Sequence, residues 1–345
     1  MTLQISAILI THNRAALLPH VLEGLRQQHL DPERFEIVVV DDGSSDDTQN
    51  VLTAWSNRLP MRVFKQRAAG LAAAKNLGVF VAKAPVIVFL DDDDVVLPGF
   101  LTTHLAVHLA QPDIATAVLS RTVLAPEIAE FPLMRHVTEV GGQLFSYKWI
   151  KPHQVLGFRE FWGGRSSCKR SLLVRHGVFH PDFRFGCEDI ELGWRLSRQG
   201  LRVIYEPDAC AKMIRNVTFD QFCNRSYRQG RSQYLFSKLH TDLIIREYCE
   251  IDKAEEAWQS EWSHYARLLQ WTRKLETLTI ARQATGQPVH RELQERLDFA
   301  YKKSFFLSRA KGVIDSLASD GRPARPPRSG ALTEYGLQTM ARKNG

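Results

Sequence analysis

The chain has 345 residues and a mass of 39.3 kDa, 44% hydrophobic and 24% charged, which gives it a sizeable core and excludes global disorder. Its net charge of +7 is uneven: positions 301–345 hold nine basic and three acidic residues, so the rest is near neutral and the charge is not that of a nucleic-acid-binding domain. No apolar run reaches a bilayer span, no cationic leader precedes the first apolar stretch, and the five cysteines form no CxxC pair, so the expectation is a cytoplasmic chain in a reducing compartment, without signal peptide, transmembrane helix or disulfide framework.

The first third follows a strand–helix rhythm. Ile5–Ile10 is a short apolar strand, and Asn13 precedes an amphipathic run over Ala15–Gln28. Glu36–Val40 is continuous and β-branched, as a buried parallel strand should be. Asp41–Asp47 is a turn, followed by a helix to about Trp55, a strand at Arg62–Phe64 and an alanine-rich helix over Ala68–Ala82. Val86–Leu90 is the next buried strand. Short strands separated by helices imply parallel pairing with right-handed crossovers. A further strand is expected within Asp113–Thr122, helices near Lys169–His176 and Asp189–Gln199, and a strand at Arg202–Tyr205. Beyond Thr218 the period is helical and rich in Trp and Tyr, with Trp258–Trp271 expected to pack a core or a dimer seam. The division expected is 1–217 for an α/β domain, with halves at about 1–112 and 113–217, then a helical region over 218–320 and a flexible basic tail over 321–345.

Ligands of open parallel sheets sit beyond the carboxyl ends of the strands, and both acidic clusters of the first hundred residues fall there. Ile37–Val40 runs into Asp41-Asp42-Gly43-Ser44-Ser45, and Val86–Leu90 into Asp91-Asp92-Asp93-Asp94. Four adjacent aspartates need a counter-charge, and hard oxygen ligands suit Mg²⁺ or Mn²⁺. Alternation along an extended backbone places Asp91 and Asp93 on one side and Asp92 on the other. Water and substrate phosphates must complete the metal's shell. The Asp41-Asp42 turn either binds a ribose or caps the next helix. No GxGxxG follows the first strand, which argues against a dinucleotide site. Glu188-Asp189 opens a helix, where the macrodipole favours an ionised carboxylate; a simple cap with a Glu191–Arg195 pair is the plainer alternative.

Five segments, Ile8–Arg14, Val38–Ser44, Ala73–Asn76, Phe89–Asp94 and Gly186–Leu196, occur in the order of a family 2 glycosyltransferase, and residues 3–240 resemble that family. The resemblance implies a GT-A fold, Rossmann-like with a mostly parallel sheet and helices on both faces, plus a C-terminal helical extension. It also implies an inverting, metal-dependent transfer from a nucleotide-sugar, commonly a UDP-sugar, to a hydroxyl of a glycan, lipid-linked or other acceptor. By position, Thr11, Asn13, Arg14, Asp42, Arg67, Lys75, Asp91, Asp92 and Asp93 match donor-binding positions, with Asp42 at the base. Asp93 and Asp91 match the D-x-D metal pair, for Mn²⁺ or Mg²⁺. Asp189, beside Glu188, matches the catalytic base, and Trp162, Gly163, Gly164 and Arg165 match the sugar and acceptor side. Lys75 stands where the family usually has arginine, and Met213 where many relatives carry a histidine; Lys212 is the alternative phosphate contact. A fold-retaining, nucleotide-sugar-binding scaffold subunit and a phosphotransferase are the competing readings. Surface polysaccharide or glycan synthesis, no nucleic-acid partner, peripheral contact at the inner membrane face and a homodimer through the C-terminal helices complete the expectations. Arg225, Arg228 and Arg231 recur every three residues and give one helix a basic face, read either as solvated or as a dock for an anionic acceptor or lipid headgroups.

Overall fold

A computed structural model describes residues 2–321, so the tail expected over 321–345 lies, apart from Gly321, outside the described residues. In chain order come β1 (Ile5–Thr11), α1 (Leu18–Arg26), β2 (Phe35–Asp41), α2 (Thr48–Trp55), β3 (Met61–Lys65), α3 (Leu71–Val81), β4 (Val86–Leu90), β5 (Asp94–Val96), α4 (Phe100–Ala110) and β6 (Thr116–Leu124). Next are α5 (Pro126–Ala129), α6 (Pro132–Arg135), β7 (Val155–Leu156), β8 (Ser166–Lys169), α7 (Arg170–His176), α8 (Glu188–Ser197) and β9 (Arg202–Met213). The remaining elements are α9 (Phe219–Leu239), α10 (Leu243–Cys249), α11 (Ile251–Ala284) and α12 (Arg291–Ser319).

One sheet runs β3-β2-β1-β4-β8-β6-β9-β5, with β7 on β9. Its first four strands are parallel, as the strand–helix rhythm predicts. Beyond β4 the sheet becomes mixed, because β8 lies antiparallel to both β4 and β6 while β6 and β9 are parallel. Strand β8 is unexpected from the sequence. Its segment is short and polar, yet Ser166 and Ser167 are buried, and Ser167 Oγ bonds His104 Nδ1 at 2.8 Å and His108 Nε2 at 2.9 Å from α4. A buried hydroxyl is tolerated when it is hydrogen-bonded, and no apolar alternation advertises such a strand.

Strand alternation builds two cores. Ile8, Val38, Val40, Ile87 and Phe89 face one layer, which includes α3, α7 and α8 residues; Leu9, Ile37, Val39, Val88 and Leu90 face the other, with α1 and α4. Strand β9 is longer than Arg202–Tyr205. A register shift after Ser120 lets residues 207–209 bulge out, and pairing resumes at Cys210 and continues to Met213. This extension carries the chain back to the acidic rim.

Helix α9 starts at a capping box formed by Thr218 and Gln221. It packs on α12, where a Cβ at Gly230 would strike the Arg309 carbonyl and one at Gly312 the Tyr227 carbonyl, so the two backbones meet closely. The Trp-rich stretch only partly enters a core. Trp258 packs on Tyr265, but Trp262 and Trp271 are 58% and 40% exposed, because just one stripe of α11 meets α12. No helix among the described residues is long and apolar enough to cross a membrane.

Candidate functional site

A cleft of about 1100 Å³ opens beyond the carboxyl ends of β1, β2 and β4. Thr11, Arg14, Asp42, Lys75, Asp91, Asp92, Asp93, Trp162, Gly163, Gly164, Arg165, Glu188 and Asp189 all line it. Asn13 and Arg67 do not. Asn13 takes a left-handed conformation (φ 54°), and its Oδ1 accepts from the Ser45 and Asp46 amides at 2.8 and 3.3 Å, so it braces the β2–α2 turn. Arg67 is exposed outside the cleft, and its neighbours Ala68 and Ala69 form the wall instead.

Asp42 is held by the loop before α3. Its Oδ1 accepts from Gln66 Nε2 (2.7 Å) and the Ala69 amide (2.8 Å), and its Oδ2 from the Gly70 amide (2.9 Å). A carboxylate has about four lone-pair sites, so one is left for a ligand. Thr11, at the end of β1, is buried in the same wall.

The aspartates after β4 are met by three arginines. Arg14 Nε reaches Asp92 Oδ1 at 3.3 Å, Arg215 Nε reaches Asp93 Oδ2 at 2.5 Å, and Arg165 spans Asp91 (3.4 Å) and Asp94 (3.1 Å). Burial raises the Asp92 and Asp94 carboxyls to about 7, against the opposing pull of Arg14 and Arg165. Arg215 was not visible as a site residue in the sequence. It lies just past β9, two residues after Met213, which is buried, whereas Lys212 points outward. Neither Met213 nor Lys212 therefore does what Arg215 does.

Among the described residues, no three acidic, histidine or cysteine side chains converge as a ready metal cage. Asp91, partly exposed beside Arg165, and Asp93, buried against Arg215, are nevertheless hard oxygen donors in the cleft wall. They fit Mg²⁺ or Mn²⁺ as two ligands of six, the rest coming from diphosphate and water. Gly164 presses on this pair: a Cβ there would overlap the Asp91 carboxylate. The double glycine is thus a requirement for space.

Across the cleft, Cys187 turns left-handed (φ 62°) and α8 begins at Glu188, with Glu188, Asp189 and Glu191 in its first turn, where the helix dipole favours anions. Lys75 Nζ, buried on α3, meets Glu188 Oε1 at 2.9 Å, while Glu188 Oε2 is buried without a hydrogen-bond partner among the described residues. Burial opposes the Lys75 charge, but Glu188, Asp189 and Asp91 outweigh it and raise its pKa. Asp189 Oδ2 accepts from the Gly163 amide and Oδ1 from the Ile190 amide, both at 2.8 Å. Burial, then the Glu188 charge, push Asp189 up to about 6 despite Lys75 and the two amides. A carboxyl in that range accepts a proton near neutral pH. Trp162 anchors the loop through Nε1 to the Arg159 carbonyl at 2.8 Å and packs on Tyr147. Glu191 pairs with Arg195 at 2.8 Å as expected, but as a buried strut that also meets His240 at 2.9 Å.

Comparison with known proteins agrees with this architecture. Validoxylamine A glucosyltransferase of Streptomyces hygroscopicus subsp. limoneus is 33% identical over 224 residues, covering 57% of this chain and 48% of that protein. Hyaluronan synthase of Pasteurella multocida is 28% identical over 223 residues, covering 57% and 23%. The chain thus spans about half, or less, of the length of these relatives. Among solved structures, residues 1–349 of S. aureus TarS in complex with UDP-GlcNAc superpose with a TM-score of 0.53 at 14% identity, covering 94% of this chain and 93% of that one. The mannosyltransferase PcManGT from Pyrobaculum calidifontis, in complex with GDP-Man and Mn²⁺, gives 0.50 at 18% identity, covering 98% and 79%. Both likenesses are of fold. The sequence profile described as Glycosyl transferase family 2 matches residues 6–179, half of the chain, and the chain belongs to that family.

Proposed function

We propose that this chain transfers a sugar from a nucleotide-sugar, a UDP-sugar by preference, to an acceptor hydroxyl with inversion at the anomeric carbon. The observation that carries this reading is the cleft itself: the Asp91–Asp93 rim and the Glu188–Asp189 helix start face one space, with Asp189 held by the Gly163 amide. Asp42, with its one free lone pair, and Thr11 Oγ1 take the base end of the donor. Asp91 and Asp93 would hold a divalent cation, which supplies charge neutralisation for a departing diphosphate. Asp189 removes the proton from the acceptor hydroxyl as its oxygen attacks. Lys75 neutralises Glu188 beside it and keeps that second charge from pushing Asp189 out of its working range. A single base on the acceptor side suffices for inversion, and no protein nucleophile is needed. Cell-surface polysaccharide or a lipid-linked glycan is the proposed product class, consistent with the names of relatives such as hyaluronan synthase.

The test is turnover of a panel of UDP- and GDP-sugars with Mn²⁺, in the unaltered chain, Asp93→Ala and Asp189→Asn. Nucleotide release by the unaltered chain and its loss in both variants is expected; undiminished release in both would sink the mechanism. The second reading, a nucleotide-sugar-binding subunit without turnover, is favoured by one observation, the Arg215 guanidinium on Asp93. It wins if UDP binds but no donor is ever consumed.

A further inference from the structure

The basic stripe of α9 divides in the folded chain. Arg231 is exposed and does not line the cleft, whereas Arg225 and Arg228 do, with their guanidinium carbons 5.2 and 4.1 Å from the centroid of the Phe185 ring. Of the other cleft cations, Arg14, Lys75, Arg165, Arg215 and Arg309 each hold a carboxylate within 3.4 Å, while Arg159, Arg184 and Lys302, which are exposed, pair with none among the described residues. Arg225 and Arg228 hold none among the described residues. Arg225 is half-buried and Arg228 more open, and desolvation lowers the pKa of each. A partly desolvated guanidinium with no carboxylate in contact is an arrangement that a bound anion relieves.

Their position says which anion. A diphosphate at Asp91 and Asp93 has a divalent cation, Arg165 and Arg215 to balance it, which leaves this pair for a second anion. Arg225 stands on the side of Asp91 and Asp93, whose charges reach it, and Arg228 lies one helical turn further along. Phe185, beneath both, is followed after two residues by Glu188-Asp189. The loop is tied to α9 by Ser232 Oγ donating to the Phe185 carbonyl at 2.6 Å and by Gln229 Nε2 on Cys187 Sγ at 3.1 Å. The arginines are therefore fixed relative to the base, and their planar forks suit bidentate oxyanions.

We propose that Arg225 and Arg228 form an oxyanion subsite for the acceptor, so that the hydroxyl to be glycosylated belongs to a molecule carrying a phosphate ester or a carboxylate. This rests on Asp189 being the acceptor-side base. The experiment is calorimetric titration of the full chain, saturated with UDP and Mn²⁺, with glucose 6-phosphate, glucuronate and methyl glucoside. The two charged sugars are expected to bind at least tenfold more tightly than the neutral one, and the stronger of them names the anion. Arg225→Gln and Arg228→Gln should each weaken the charged probe severalfold, and the double variant at least tenfold. UDP affinity should stay within twofold, and Arg231→Gln should change nothing. Equal binding of charged and neutral sugars overturns the subsite. So does a double variant that loses UDP affinity, which would make these arginines part of the donor site. If UDP fails to bind the unaltered chain, the donor reading falls instead, and the same probes on the nucleotide-free chain still decide whether the arginines capture anions.

Discussion

At the start of β2, Glu36 is 6% exposed and its oxygens are engaged throughout. Ser6 Oγ and the Lys83 amide donate to Oε1, each at 2.6 Å, and Arg62 donates to Oε2 through Nε at 3.0 Å and Nη2 at 2.6 Å. Burial alone would raise its pKa, but these four bonds and the Arg62 charge overcome that and lower it. At the other rim of the sheet and on α8 across the cleft from it, Asp92, Asp94 and Asp189 are raised, and Glu188 Oε2 and Asp94 Oδ1 have no hydrogen-bond partner among the described residues. One fold thus buries carboxylates in two ways. Where every lone pair is filled the carboxylate serves architecture, whereas the open Oε2 of Glu188 belongs to a residue that lines the cleft, where the proposed complex would meet it.

This contrast can be broken by substitution. The largest effect expected is from Asp189→Asn, which keeps the shape but removes the base: transfer should fall by about 10²–10⁴-fold, with UDP affinity unchanged by calorimetry. Glu36→Ala should do the reverse, lowering stability in urea by about 3–5 kcal/mol as for other broken buried pairs while kcat of the folded fraction is retained. A large kcat loss from Glu36→Ala would erase the distinction. Gly164→Ala should displace Asp91 and cut transfer by about tenfold (roughly 1.4 kcal/mol), with Mn²⁺-dependent UDP binding weakened and Tm little altered. Mn²⁺ alone, without nucleotide, should bind feebly by calorimetry, since the protein offers two of six ligands, and UDP should tighten it.

The smallest effect is resolved by pH. The folded Asp189 carboxyl, near 6, binds its proton more tightly than an unfolded one. Its stabilising contribution is complete below the unfolded value of about 4 and is lost as pH rises through about 6. The Tm of the unaltered chain minus that of Asp189→Asn should therefore rise as pH falls from 7 to 5. Transfer should move the other way, declining below about pH 6 as the base becomes protonated. Glu36 has the opposite sign, contributing above the usual carboxylate pKa and losing that contribution on acidification.

Much of this was legible in the sequence. The parallel strands β1 to β4 announced themselves as apolar, β-branched runs, and their ends delivered Asp42 and Asp91–Asp94 to one rim because parallel strands share a direction. The helix start at Glu188 was also readable, from the Gly186-Cys187 turn and the acidic first turn. What escaped were contacts made by tertiary packing. Arg215 reaches Asp93 across 122 residues of sequence, and only the β6–β9 register shift places it there. Strand β8 carries no hydrophobic pattern. Asn13 looked like a ligand contact because a loop-bracing asparagine and a ligand-binding one are the same residue in a string, and only φ and the Ser45 amide separate them.

The ion pair between Lys75 and Glu188 joins α3 to α8, the helix that carries Asp189, across 113 residues. Breaking that pair would leave the Glu188 carboxylate bare beside Asp189, so the proposed base depends on an ammonium group supplied by a distant stretch of the chain. On the proposed function, a change at Lys75 would therefore be felt at the acceptor side without any acceptor contact being lost.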